Sequence, residues 1–241
     1  MSAKPPGTPE LAADGLYVFS GGGLELLVDP KREGNAVRLT LDGKSALAVP
    51  VTAATVFSAE IQGNTLLLTS PDGTLSKRYR LDAGRRAIEV SYTLSNATSE
   101  VLHRQASEAH DVALAGGLTF FPNAPKQPFA WIAHQPPRTT ASVTTTLSAG
   151  QSWVASAGDG LLFVKAYVDP SPTTLSVASS YDAKTQERPW LELSAQSASF
   201  ELPPGTLATW NVRWLLRHLP PGLAVKPGNQ ELVGFVQGVI Q

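Results

Sequence analysis

Cysteine is absent from all 241 residues. Its absence excludes disulfides and thiolate metal sites but leaves the compartment open, because an exported protein need not contain cysteine. Charge is also sparse, at 16% of residues against roughly 25% in an average domain. The formal net charge is −1 and no basic stripe interrupts the chain, so nucleic acid is not an expected partner. No stretch approaches the ~20 consecutive apolar residues of a membrane span. Zinc-protease, EF-hand, P-loop, nucleophile-elbow and dinucleotide fingerprints are all missing. Glu108-Ala-His-Asp111 offers mixed metal ligands, but strand alternation turns Asp111 away from the other two. Neither a metal nor a cofactor is expected.

Helix signals are few as well. Short alternating or apolar runs recur instead, separated by Gly, Pro, Asn and Asp, which is the pattern of an all-β sandwich or barrel. Candidate strands are Leu16–Phe19, Gly23–Val28, Ala36–Leu41, Thr65–Thr69, Ser76–Leu81, Ile88–Ser95, His103–Ala113 and Leu118–Phe121. They continue with Thr139–Leu147, Trp153–Gly158, Leu161–Tyr167, Leu175–Ser180, Trp190–Ser194, Ala198–Leu202 and Leu207–Leu216. So many short strands in one domain imply two large stacked sheets. Asp42-Gly43 is a hairpin turn between apolar flanks. Pro122–Pro137 carries five prolines and reads as a long loop bearing Phe129, Trp131 and His134. Asn229–Ile240 fits either a short helix or a last strand. Residues 1–14 read as a flexible leader and 15–241 as a single domain.

The clearest strand is Ile88–Ser95 within Arg80–Asn96. Ile88, Val90, Tyr92 and Leu94 share one face, while Glu89, Ser91, Thr93 and Ser95 share the other. Its Val-x-Tyr-Thr-Leu-x-Asn phrase resembles a strand of the galactose-mutarotase-like (aldose 1-epimerase) superfamily. Three further blocks carry the likeness. They are Leu24–Pro30 with Ala36–Gly43, then Ala115-Gly-Gly-Leu-Thr-Phe-Phe-Pro122, then Trp190–Leu193 with Leu202–Gly205 and Trp210-Asn-Val-Arg-Trp214. Within that superfamily the chain is most similar to a bacterial family marked by GGLTFFP and W-x-V-R-W, one without an assigned activity. The resemblance implies a single-domain β-supersandwich with a sugar held on a concave face. Pro50–Thr65 is short where such proteins often place extra aromatics.

A mutarotase opens a pyranose with a carboxylate base and a histidine acid. By resemblance, His110 stands at the acid's distance beyond Asn96, and Glu192, before the Pro204-Gly205 turn, stands at the base's position. Both are suitable types for proton transfer near neutral pH. Glu108 shares a strand face with His110, and Trp190 shares one with Glu192. Glu108, Trp190, Arg213 and Trp131 complete a substrate-binding set, since sugar C–H faces stack on aromatics while hydroxyls bond to polar groups.

Each of these residues also has an ordinary structural reading. A lone histidine or an outward carboxylate usually needs no function, Trp190 serves equally as a rim or core aromatic, and Arg213 equally pairs with a neighbouring acid. Trp131 and His134 serve equally as a plug for the sandwich edge. The stripe Trp210, Val212, Trp214 reads as core, and Asn96-Ala-Thr98 as a strand end or a glycosylation sequon. Three functions follow: carbohydrate binding, an aldose 1-epimerase-like isomerase using His110 and Glu192, or a non-catalytic scaffold in envelope assembly. The expected partner is a sugar or glycan, with a protein partner left open. The expected location is periplasmic or extracellular, on the Pro-rich leader and the Ser/Thr-rich surface, although no signal peptide is visible.

Overall fold

The computed structural model describes residues 5–47, 55–114, 116–123, 128–134, 141–148, 152–180 and 190–241, apart from the side chains of 141, 179, 180 and 190. Twenty strands and one helix are formed among them. A five-stranded sheet runs in sequence order through β1 (Glu10–Leu11), β2 (Tyr17–Gly21), β3 (Leu24–Asp29), β4 (Asn35–Leu41) and β5 (Lys44–Ser45). Glu10–Leu11, inside the stretch expected as a leader, thus pairs with β2. The nine-stranded sheet is built from β6 (Ser58–Gln62), β7 (Thr65–Thr69), β8 (Leu75–Asp82), β9 (Ala87–Ser95), β12 (Leu118–Pro122), β13 (Phe129–Ala133), β15 (Trp153–Gly158), β16 (Leu161–Tyr167) and β20 (Leu207–His218). Its order is β13-β12-β15-β16-β20-β9-β8-β7-β6, all antiparallel. A four-stranded sheet follows the order β11 (Ser107–Val112), β18 (Trp190–Gln196), β17 (Thr173–Ser180), β14 (Ala141–Leu147). β10 (Leu102–Arg104) and β19 (Phe200–Leu202) form a separate ribbon.

Two layers result. The inner face of the nine-stranded sheet packs against both the five- and four-stranded sheets, which a Leu47–Val112 bridge joins. Alternation sends Tyr79, Tyr92, Phe163, Trp210 and Trp214 inward, each at most 1% exposed. Tyr79 and Phe163 both meet Trp214 edge to face, at 6.0 and 6.4 Å, a geometry that adds to the burial term. Truncating either tryptophan to alanine removes about 3–5 kcal/mol.

The outer face of the nine-stranded sheet is covered in part by α1 (Gln230–Ile240). The tail is therefore a helix and not a strand. Asn229 caps it by accepting from the Glu231 amide, an orphan donor of the first turn. Leu232, Val233 and Val236 are its buried stripe, set against Leu162, Val164 and Leu215 in a second apolar cluster. No helix among the described residues is long and apolar enough to cross a membrane.

Two expectations need correction. His103–Ala113 is not one strand. It divides into β10 and β11 at Gln105-Ala106, whose side-chain and main-chain amides both turn to Ser197. Pro122–Pro137 is not all loop either, because Phe129–Ala133 forms β13 on the sheet edge, where Pro128 removes no ladder donor from a neighbour. Asn96, by contrast, follows the strand-end reading, directly after β9. It is 2% exposed, and its amide donates to the Glu100 and Leu202 carbonyls while its oxygen accepts from Thr98. The glycine pair before β12 also has a local cause. A Cβ on Gly117 would lie 2.4 Å from the Ala157 carbonyl oxygen, closer than packing tolerates.

Candidate functional site

β11 and β18 decide where the expected acid and base point. β11 alternates, so Glu108 and His110 face the interior while Asp111 faces out. β18 pairs with it in the register His110–Leu193 and Asp111–Glu192. Glu192 is therefore on the outer face with Asp111, and His110 is on the inner one. The structure does not bring His110 and Glu192 together. Side-chain parity within a strand is readable from sequence, but parity between strands needs the register.

Inside, His110 joins a buried charged centre. Lys165 Nζ lies 2.9 Å from Glu108 Oε1 and 2.8 Å from His110 Nδ1. Tyr92 donates to Glu108 Oε2 at 2.9 Å. Lys165 is 0% exposed, His110 4% and Glu108 6%. A protonated Lys165 donating to Nδ1 puts the imidazole proton on Nε2. Burial, reinforced by Lys165 and then Lys77, holds the His110 pKa well below the ordinary histidine value. Burial likewise lowers Lys165, with Glu108 opposing. Lys77 is pulled down to about 8, again chiefly by burial, with Glu33 and Glu108 opposing. An imidazole held neutral behind two packed sheets is a poor acid for an incoming sugar.

On the outer face of the four-stranded sheet, Asp111 and Glu192 are direct cross-strand neighbours. Burial and then the Glu192 charge raise the Asp111 pKa to about 6. Ser194 donates to Glu192 at 2.8 Å, and Thr144 and Ser176 hydrogen-bond at 3.3 Å. This face carries carboxylates on a ground of small hydroxyls. Trp190 opens β18 opposite Ser180, and its side chain lies outside the described residues.

Arg213 and Trp131 occupy a third surface, the outer face of the nine-stranded sheet. There the register aligns Trp153, Ala166, Arg213, Glu89 and Arg80 in one cross-strand row. Ala166 is the small member, and a pocket of about 580 Å³ opens above it. Ser152, Trp153, Asp169, Pro170 and Ile240 of α1 contribute walls. Asp169 is fixed by the Asn211 main-chain and side-chain amides. Trp131 stacks on Phe120 at 4.8 Å, and Phe129 links the pair to Trp153 at 6.0 Å. Trp131 is thus tied to the pocket through an aromatic wall. His134, next to β13, is buried between the Leu114 carbonyl at 2.8 Å and Thr119 Oγ1 at 2.7 Å.

A putative aldose 1-epimerase from Escherichia coli K12 superposes with TM-score 0.64 at 12% identity, over 85% of this chain and 99% of its own. The fold is galactose-mutarotase-like. A galactose mutarotase-like protein from Lactobacillus casei gives 0.62 at 9% identity, over 84% and 100%. A TPR-domain-containing protein from Parabacteroides distasonis gives 0.60 at 12% identity, over 88% of this chain and 50% of its own. No protein-family model and no curated protein matches the sequence. At these identities the likeness carries the mutarotase-like fold alone, and function has to be argued from side chains.

Lys165, Trp153 and Asp169 are not among the residues the sequence singles out, and Asp111 enters there only as a metal ligand turned away from its neighbours. Lys165 had a visible signal, a lone lysine inside Leu161–Tyr167, where every residue is buried. Asp111 is identifiable as an outward neighbour of Glu192 only once β11 and β18 are paired. Trp153 and Asp169 become pocket walls only through the β15–β16–β20 register.

Proposed function

We propose that the protein binds carbohydrate without opening its ring, in the pocket lined by Trp153, Ala166 and Asp169, beside Arg213 on the neighbouring strand. The observation that carries this reading is the cross-strand pair Trp153–Ala166 lining a pocket of about 580 Å³, with Arg213 next to Ala166 on β20. The volume falls within the roughly 300–1,000 Å³ of small-molecule sites. An aromatic wall, a small floor and hydrogen-bonding groups at either end match a pyranose, which has apolar C–H faces and a polar rim. The mutarotase-like fold supports a sugar-related ligand by analogy. The separation of His110 from Glu192 across the four-stranded sheet supports binding over ring opening through that pair.

The test is an amide-resolved NMR titration with a panel of monosaccharides. Shifts confined to residues 152–153, 166–170 and 211–213, weakened by Trp153→Leu, are expected. Shifts on the Asp111–Glu192 face, or none with any sugar, reject the pocket.

One observation favours a second reading, an aldose 1-epimerase-like activity carried by Asp111 and Glu192. Asp111, its pKa raised to about 6, can take up and release a proton near neutral pH beside a second carboxylate on an open face, the arrangement of an acid–base pair. Polarimetry of freshly dissolved α-D-glucose and α-D-galactose decides it. Acceleration lost in both Asp111→Asn and Glu192→Gln establishes the reading, and unchanged equilibration removes it for those sugars.

A further inference from the structure

We infer that the sugar bound in this pocket is acidic, a pyranose carrying a carboxylate, and that Arg213 holds that carboxylate. The inference rests on the carbohydrate reading above and goes beyond it by naming the ligand's charge.

The residue that sets the ligand's charge is Arg213. It is half-buried on β20, and among the described residues no acid or carbonyl pairs with its guanidinium. Its cross-strand neighbour Glu89 is already engaged, since Arg80 donates to Glu89 through both Nε and Nη2. The acid on the pocket wall is engaged too, with Asp169 accepting from Asn211 N and Nδ2. The row therefore holds two guanidiniums and one carboxylate. One planar donor fork is left without an acceptor beside Ala166, the pocket floor. A guanidinium in that state is matched best by a carboxylate, which takes two parallel hydrogen bonds from it. A neutral sugar offers hydroxyls and leaves the charge uncompensated.

Spacing supports a single ring spanning the site. Asn211, which anchors Asp169, is two residues from Arg213 on the same strand face, a separation of about 7 Å. One pyranose with an exocyclic carboxyl covers that length. Its carboxylate meets Arg213, its ring lies over Ala166 and against Trp153, and its far hydroxyls meet Asp169, which retains free lone pairs.

The experiment is calorimetric titration of the full chain with D-glucuronate, D-galacturonate, D-glucose, D-galactose and acetate. It is run on the wild type, Arg213→Gln and Arg213→Lys, with thermal melts confirming that each variant is folded. The uronates should bind at least tenfold tighter than the parent sugars, by an excess that shrinks as salt is added. Arg213→Gln should bring uronate affinity down to that of the parent sugar, so that the preference between the two disappears. Arg213→Lys should retain part of the preference, because a point charge remains without the fork. Parent sugars binding as tightly as uronates overturn the acidic-sugar inference while sparing the carbohydrate reading. Acetate binding as tightly as the uronates overturns it in favour of a general anion site. No binding by any sugar removes both.

Discussion

Two groups of side chains lie back to back across β16 and β20. Lys165 and Trp214 face inward as cross-strand partners, while Ala166 and Arg213, their immediate neighbours in sequence, face outward as partners of each other. Inside, Lys165 is paired with Glu108 and His110, and all three are sealed between sheets. Outside, Arg213 has no such partner among the described residues and stands beside an open pocket. One residue of register separates a cation whose surroundings are complete from one whose surroundings are not. Charge inside the sandwich acts on stability and pH response, and charge outside is available for recognition.

The largest expected effect breaks the inner group. Glu108→Gln keeps the shape and removes the counter-charge of a lysine that is 0% exposed. Leaving one partner of a buried ion pair uncompensated costs about 3–5 kcal/mol. Arg213→Gln, a similar loss of one charge on the outer face, should move stability by no more than about 0.5 kcal/mol. Urea unfolding of the two variants compares them directly. Equal effects would mean that the inner charges are far better hydrated than their burial implies. The double variant Glu108→Leu with Lys165→Met should recover most of the loss, because a packed apolar pair replaces a buried ionic one at little net cost.

Acid should also act on the inner group. The folded state holds the His110 pKa well below 6.5, whereas the unfolded chain titrates near that ordinary value. The stability that comes from keeping His110 neutral is complete above pH 6.5 and declines as pH falls from there toward the folded pKa. The slope is at most about 1.4 kcal/mol per pH unit for one proton. Chemical denaturation between pH 8 and 5 should show this fall, and His110→Gln should flatten it. A variant with the wild-type slope would assign the acid sensitivity to other groups.

The sequence carried some of this plainly. Period-two alternation located β9 to within one residue, and Trp153–Gly158 and Leu161–Tyr167 are strands with the bounds that their composition predicts. The inward Trp210–Val212–Trp214 stripe was readable for the same reason, since nothing but side-chain parity is needed. Glu108 and His110 were correctly read as sharing a face. The site was less legible because its members lie on different strands. Placing Glu192 with His110 required knowing that β18 meets β11 as Asp111–Glu192, and no local pattern encodes that pairing. β13 was hidden by prolines at both ends, and the break at Gln105-Ala106 by an unbroken run of strand-compatible residues. α1 was ambiguous because its apolar residues fit both periods, although the Asn229 cap is a helix signal in its own right.

The smallest effect sharpens the comparison most, because it reverses a sign within one strand. Asp111 lies on the face of β11 opposite to Glu108 and is partly buried. Burial and the neighbouring Glu192 raise its pKa from 3.8 to about 6. The folded state therefore favours the protonated form. That contribution is full below pH 3.8 and is lost as pH rises through about 6, so the ionised side chain weakens the fold at neutral pH. Asp111→Asn removes the repulsion and keeps the shape. It should leave stability unchanged or raise it by less than about 1 kcal/mol at pH 7.5, given solvent screening, and the gain should vanish below pH 4. The same carboxylate-to-amide change is thus destabilising at 108, where the charge is matched, and neutral to stabilising at 111, where it faces another carboxylate. Destabilisation by Asp111→Asn at pH 7.5 would show that its charge is matched after all, and would remove the basis for treating Asp111 and Glu192 as a mutually perturbed pair.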